Sequence, residues 1–223
     1  MTTIRLVLFD LDGTLADTAP DLAGAVNRML TSRGRTPLPL DTLRPVASHG
    51  ARGLIDRAFG LAPADAGYED LRQEFFREYE SALCRDTRLF PAMPQTLAAL
   101  EHADIRWGIV TNKIARFTDP LVQALGLAER AACIVSGDTT AHAKPHPAPL
   151  LHAARAAGLD IAVSIYVGDD LRDVQAGRAA GMRTVAAAYG YLGDGAPVEQ
   201  WGADHVIHRP DDLLPLVKRQ GVP

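Results

Sequence analysis

Six short runs of nearly unbroken apolar, β-prone residues punctuate this chain, at 4–9, 107–110, 133–135, 164–167, 184–187 and 205–207. A strand that is apolar on both sides has no face for water. It belongs in a sheet covered on both faces, which is the situation of parallel strands. Helical patterns lie between the runs. Leu97 and Leu100 mark one, and Leu121, Val122 and Leu125 mark another that Gly126 closes. Leu150, Leu151 and Ala154 mark a third, closed by Gly158, and Val174 and Ala179 a fourth before Gly181. Strand alternating with helix predicts an α/β doubly wound fold.

The stretch after the first run reads differently. Leu22, Val26 and Leu30 repeat at helical spacing, with Pro20 just inside the start and Gly34 past the end. Leu54, Ile55, Ala58 and Phe59 form a second helical stripe, and Tyr68, Leu71, Phe75, Tyr79 and Leu83 a third. No strand signal appears there. Residues 16–89 therefore read as an all-helical insertion between a core of residues 1–15 and 90–223.

A chain of 223 residues can bury a sizeable core without disulfide or metal staples. The net charge of −4 excludes a polybasic surface of the kind that coats nucleic acid. Cys84 and Cys133 are far apart and form no CxxC pair, which fits a reducing, cytoplasmic setting. The first apolar run is cut by Asp10 and Asp12, too early for a signal peptide. No apolar stretch approaches the ~20 residues of a spanning helix. The expected partner is a small molecule rather than a membrane, and the expected state a monomer or homodimer.

Chemistry concentrates at the ends of the apolar runs, where open α/β sheets bind ligands. The first run ends in Asp10-Leu11-Asp12-Gly13-Thr14. Two carboxylates so close at a strand end repel, and a bound cation or a basic side chain offsets that repulsion. Gly13 permits a tight turn or a close backbone approach. A later run ends in Gly168-Asp169-Asp170-Leu171-Arg172-Asp173. One Asp is enough to cap a helix, so three suggest hard oxygen ligands for Mg²⁺. On a helix starting straight after Gly168, Asp169 and Asp173 would share a face. Thr111, Asn112 and Lys113 follow another run, where a hydroxyl or amide is often only an N-cap. Lys144 sits in a loop bounded by Pro145 and Pro147, which suits a positioned cation for phosphate.

Other chemistries lack their signatures. The chain has no GxxxxGK[ST] or GxGxxG string, and none of its serines lies in GxSxG. His142 and His146 are four apart, but Pro145 and Pro147 disfavour a zinc-binding helix there. The histidines read as ordinary polar residues, with His49 the exception.

Asp10-x-Asp12-Gly13-Thr14, Thr111-Asn112, Lys144 and Gly168-Asp169-x-x-x-Asp173, in that order, resemble the haloacid dehalogenase superfamily. The resemblance implies a Rossmann-like parallel-sheet core with a helical cap, responsible for substrate specificity, inserted after the first motif. It implies Asp10 as a nucleophile that takes a phosphoryl group. Asp12 would be general acid to the leaving group and then general base for water. Thr111 and Asn112 would hold phosphoryl oxygens, and Lys144 would neutralise charge. Mg²⁺ would be held by Asp10, the backbone carbonyl of Asp12 and Asp169, with Asp173 behind them. An aspartate at position 12 favours a phosphatase or a phosphomutase over the dehalogenases and P-type ATPases.

Within the superfamily, residues 11–18, 110–113, 144–147 and 166–169 look like the phosphoglycolate phosphatases. The N-acetylmuramic acid 6-phosphate phosphatases share that pattern, and residues 168–173, 189–191 and 201–204 look especially like them. Ser48-His49-Gly50-Ala51-Arg52-Gly53 resembles the cap's glycine-bracketed substrate loop, with Ser48 in place of the first glycine. Arg52 offers a fork for a substrate carboxylate, beside His49. The expectation is a Mg²⁺-dependent phosphatase of a small anionic phosphate monoester. The competing readings are a β-phosphoglucomutase-type sugar phosphomutase and a non-catalytic binding protein on the same fold.

Overall fold

The structure is a computed structural model, and it describes residues 3–217. The chain opens with β1 (Leu6–Phe9) and a two-residue β2 (Ala16–Asp17), then runs through α1 (Ala19–Ser32), α2 (Leu40–Leu43), α3 (Gly50–Phe59) and α4 (Tyr68–Glu80). It returns through β3 (Arg88–Leu89) to α5 (Met93–His102), β4 (Arg106–Val110), α6 (Ala115–Ala124), β5 (Ile134–Val135) and α7 (Ala148–Ala156). The last third holds β6 (Ser164–Gly168), α8 (Leu171–Ala179), β7 (Arg183–Ala187), β8 (His205–Ile207) and the short α9 (Leu214–Val217).

Each apolar run of the sequence becomes a strand. The six strands lie in the order β5-β4-β1-β6-β7-β8. Every neighbouring pair is parallel. β1 is central, with Phe9 level with Ile109 on one side and Val167 on the other. Its alternate residues explain the unbroken apolar pattern. Val7 and Phe9 pack into one cluster with Leu97, Leu100 and Leu121. Leu6 and Leu8 pack into another with Leu150, Ala153 and Ala176. All four are buried, each contributing about 1.5–3 kcal/mol.

Helices α1, α3 and α4 bury their stripes on one another, in a third cluster built around Leu22, Val26, Leu54, Ile55, Phe75 and Tyr79. The expectation of no strand between 16 and 89 is corrected at both ends of that segment. β2 and β3 pair antiparallel, Ala16 with Leu89 and Asp17 with Arg88. A two-residue ribbon has no period to read in sequence, and only the approach of the two crossing segments creates it. Buried Asp21, in the first turn of α1, reinforces the crossing. Its carboxylate accepts from the N–H of Asp86 and of Thr87, both at 2.9 Å, and from the Thr87 hydroxyl at 2.7 Å. Among the described residues, no helix is long and apolar enough to cross a membrane.

Candidate active site

Three neighbouring strands end in the residues singled out above. Asp10 follows β1, Thr111 follows β4 and Asp169 follows β6. The parallel register brings these ends level, and the Asp10 and Thr111 N–H groups still donate to Val167 and Val135, each at 2.9 Å. This is the point where the strand order reverses direction away from β1, the usual ligand crevice of such sheets.

Asp10, Asp169 and Asp173 are buried, and each offers a carboxylate oxygen within 4.8 Å of the others. Burial, partly countered by Lys144, pushes the Asp10 carboxyl up to about 7. Burial, with Asp10 and Asp173 adding repulsion, holds Asp169 well above the ordinary carboxylate range. Among the described residues, Lys144 is the one cation inside this cluster. Its Nζ lies 3.0 Å from Asp10 Oδ1 and 2.7 Å from Asp173 Oδ1. It also donates to the Val110 carbonyl at 3.0 Å and to the Tyr166 hydroxyl at 2.8 Å. Burial works against its charge, but Asp10 and Asp173 prevail and hold its pKa up.

One lysine among three buried carboxylates leaves negative charge to neutralise, and hard oxygen donors suit Mg²⁺. The surroundings leave room at Asp169 by using glycine. Gly13 has φ +84°, and a Cβ there would lie 2.1 Å from Asp169 Oδ2. A Cβ on Gly190 would lie 2.2 Å from Asp169 Cβ. Asp169 itself is oriented by the Thr14 hydroxyl at 2.7 Å and the Tyr191 N–H at 2.9 Å.

Asp169 and Asp173 converge, but not by sharing a helix face. α8 begins at Leu171 with Asp170 as its N-cap, so Asp169 precedes the helix. The cap explains the difference. Asp170 Oδ1 accepts from the Arg172 N–H at 2.8 Å, while Asp173 Oδ2 accepts from the Asp170 N–H at 3.1 Å. The backbone stays extended through Asp170 as a result. Asp173 is thus engaged by Lys144, Asp170 and Tyr166, the last at 3.1 Å.

Asp12 points to the other side. Its Oδ1 accepts from the Thr18 hydroxyl at 2.6 Å and lies 3.1 Å from Lys113 Nζ. Thr111 and Asn112 do not cap a helix, because α6 starts at Ala115 with Ile114 at its N-cap. Asn112 instead grips the backbone of Lys144, with its side-chain oxygen accepting from the N–H and its amide donating to the carbonyl, both at 2.9 Å. The Lys144–Pro145 peptide is cis.

A cleft of about 200 Å³ opens over these groups. Asp10, Asp12, Thr111, Asn112, Lys144 and Asp173 line its floor, and Leu22, Phe75, Phe76, Tyr79 and Phe117 form an apolar wall. A 3₁₀ helix, Arg44–His49, leads straight into α3 and closes one side. Ser48 Oγ lies 3.2 Å from Asp169 Oδ2, and Arg172 donates to the Ser48 carbonyl at 2.9 Å. His49 lines the cleft with Nε2 3.7 Å from Asp170 Oδ2, and burial and then Arg172 lower its pKa. Arg52 is exposed and is not among the residues lining the cleft. α3 packs Gly53, Leu54 and Ile55 inward, which turns position 52 to the outside.

Sequence reading did not single out Lys113, Tyr166, Tyr191 and Arg172 as working parts. Tyr166 carried a signal, a hydroxyl inside an otherwise apolar strand. Lys113 and Tyr191 act through partners distant in sequence, and Arg172 joins Asp170 beside it to the distant Ser48 carbonyl.

The family model of the haloacid dehalogenase-like hydrolases matches residues 7–187. The chain is 42% identical over 214 residues to an N-acetylmuramic acid 6-phosphate phosphatase of Pseudomonas putida, covering 96% of both proteins. It is 46% identical over 210 residues to a phosphoglycolate phosphatase of Xanthomonas campestris pv. campestris, covering 94% of both. Its fold is similar to the crystal structure of a predicted phosphoglycolate phosphatase from Haemophilus somnus. The TM-score is 0.85 at 28% identity, over 98% of this chain and all of that one. With its motifs gathered at one sheet edge and the family model spanning most of its length, the chain belongs to the haloacid dehalogenase-like hydrolases.

Proposed function

We propose that this chain, a phosphatase of that family, hydrolyses a small anionic phosphate monoester through an aspartyl-phosphate on Asp10, in a reducing cytoplasm. The observation that carries this reading is the convergence of Asp10, Asp12, Thr111 and Lys144 on one cleft floor. Asp10, the Asp12 backbone carbonyl and Asp169 would hold Mg²⁺, with Asp173 behind them held by Lys144. When bound, the ion supplies charge neutralisation for the phosphoryl oxygens and for the crowded carboxylates.

Lys144 and the Thr111 hydroxyl hold the phosphoryl oxygens against Asp10. An Asp10 carboxylate oxygen forms a bond to phosphorus as the ester P–O bond breaks. Asp12 gives its proton to the departing alcohol oxygen, with its carboxyl held by Thr18 and Lys113. Asp12 then takes a proton from water as that water oxygen bonds to phosphorus. The Asp10–phosphorus bond breaks, and inorganic phosphate leaves. Two displacements replace one harder direct hydrolysis. The helical segment 16–89 acts as the cap, with Ser48 and His49 of its 3₁₀ helix against the acidic strand ends. That placement limits water access while Asp10 is phosphorylated.

The two candidate substrates differ in shape. 2-Phosphoglycolate has one methylene and a carboxylate, whereas N-acetylmuramate 6-phosphate adds a sugar ring and two methyl-bearing substituents. The wall of Leu22, Phe75, Phe76 and Phe117 supports the larger ester, because apolar surface gains by covering apolar surface. Side-by-side kcat/KM measurements decide: a ratio favouring the amino-sugar ester is expected, and one favouring 2-phosphoglycolate reverses the choice. An isomerised sugar phosphate without free phosphate would instead make the protein a phosphomutase.

A further inference from the structure

We propose that Lys113 and Tyr79 form a recognition pair for an oxygen atom on the alcohol side of the substrate, close to the ester oxygen. This rests on the phosphatase reading above.

Lys113 Nζ has one ion-pair partner among the described residues, Asp12 at 3.1 Å, and its side chain is 8% exposed. An ammonium carries three donors; Asp12 takes one and the Tyr79 oxygen faces another, which leaves a buried donor that a further acceptor would satisfy. Tyr79 is its neighbour. It is 1% exposed, and Lys113 faces its oxygen, but among the described residues its O–H has no acceptor within hydrogen-bond distance. Burial above all pushes the phenol up to about 12, so the hydroxyl keeps its proton and can donate. The ring is not free to seek another partner. It stacks on Phe75 at 6.1 Å, meets the edge of Phe117 at 5.4 Å and lies 4.7 Å from Lys113 Nζ.

The position of the pair says what it reads. Both residues line the cleft, and Lys113 adjoins Asp12, the group that protonates the leaving oxygen. Lys144 and Thr111 serve the phosphoryl side, so Lys113 and Tyr79 meet the alcohol side. A hydroxyl, ring or carboxylate oxygen a few bonds from the ester oxygen supplies the missing acceptor, with Phe75, Phe76 and Phe117 flanking it. The pair spans two parts of the fold, Lys113 from the β4–α6 loop and Tyr79 from α4. It is complete only while the helices lie against the sheet edge, so it couples closure to recognition.

The test uses the full chain with three esters: 2-phosphoglycolate, N-acetylmuramate 6-phosphate and phenyl phosphate, whose alcohol bears no further oxygen. The kcat/KM of each oxygen-bearing ester is divided by that of phenyl phosphate. This ratio is compared among the parent, Tyr79→Phe and Lys113→Met. Tyr79→Phe is expected to lower it about 5-fold and Lys113→Met about 10-fold or more, mainly through KM, as loss of a neutral and a charge-assisted hydrogen bond implies. A loss confined to 2-phosphoglycolate identifies the oxygen as a carboxylate; a loss confined to the amino-sugar ester identifies a ring or hydroxyl oxygen near its C6, since its own carboxylate lies several bonds further away. Ratios within about twofold of the parent for both esters overturn the proposal. Tyr79→Phe keeps the ring packing, so its ratio decides alone if Lys113→Met does not fold. A parent that releases phosphate from none of the three esters refutes the phosphatase reading itself, and the pair falls with it.

Discussion

The Tyr191 N–H donates to Asp169 Oδ2 at 2.9 Å, so one residue ties the acidic cluster to the start of α1. The other end of Tyr191 makes the second tie. Its hydroxyl accepts from the Thr18 N–H at 2.7 Å and the Ala19 N–H at 2.8 Å, and donates to Asp17 Oδ1 at 3.0 Å. Thr18 would ordinarily cap α1 itself, but its hydroxyl is committed to Asp12. Tyr191 takes over the cap, and Arg44 closes the group with an ion pair to Asp17 at 2.6 Å.

Tyr191→Phe leaves two helix-terminal N–H groups without their acceptor. The expected cost is about 2 kcal/mol, or a Tm lower by about 4–8 °C. Thermal unfolding followed by circular dichroism checks it. An unchanged Tm would mean that water replaces the hydroxyl at no cost.

Divalent cation should stabilise the fold, because it would bind carboxylates that burial and mutual repulsion disfavour. At ~100 times its Kd, Mg²⁺ contributes about 2.7 kcal/mol, a rise of roughly 5–10 °C in Tm. Chelator should reverse the rise, and Asp169→Asn should remove most of it. Gly13→Ala should act likewise, since its methyl would overlap the Asp169 carboxylate. Differential scanning calorimetry with and without Mg²⁺ measures all four conditions.

Asp10→Asn should abolish phosphate release from p-nitrophenyl phosphate, since the amide cannot form the acyl phosphate. Lys144→Met should lower kcat about 10²–10³-fold, the usual effect of removing a donor aimed at developing charge. Full activity in Asp10→Asn would sink the covalent mechanism.

Asp21→Ala tests the crossing between the two parts of the fold. It strands the Asp86 and Thr87 N–H groups and the Thr87 hydroxyl. A loss of about 2–4 kcal/mol in denaturant unfolding is expected, with the fold otherwise retained.

The architecture was legible because burial on both faces leaves a compositional mark. Residues 6–9 are uniformly apolar since Leu6 and Leu8 meet one helical layer while Val7 and Phe9 meet the other. The helical stripes of α1, α3 and α4 were legible for the same reason, read at a different period. Asp10, Asp12, Asp169 and Thr111 stood out because charged or polar residues just after buried strands need an explanation, and Lys144 because prolines bound its loop. By itself the sequence determined which six strands form the main sheet, which side chains stand at their ends and which family the chain belongs to, but not the short β2–β3 ribbon.

Only the tertiary structure decided how those side chains are held. Lys113 pairs with Asp12, Tyr191 with Asp169 and α1, and Asp21 with Thr87, each across loops of unrelated sequence. It also moved Asp169 off the helix, because Asp170 is the better cap there. It set Arg52 outside the cleft and Asn112 against Lys144 rather than at a helix start. Periodicity reports whether a position faces the core. A hydrogen bond between distant segments depends on a few tenths of an ångström in distance and on angle, and no local pattern encodes that.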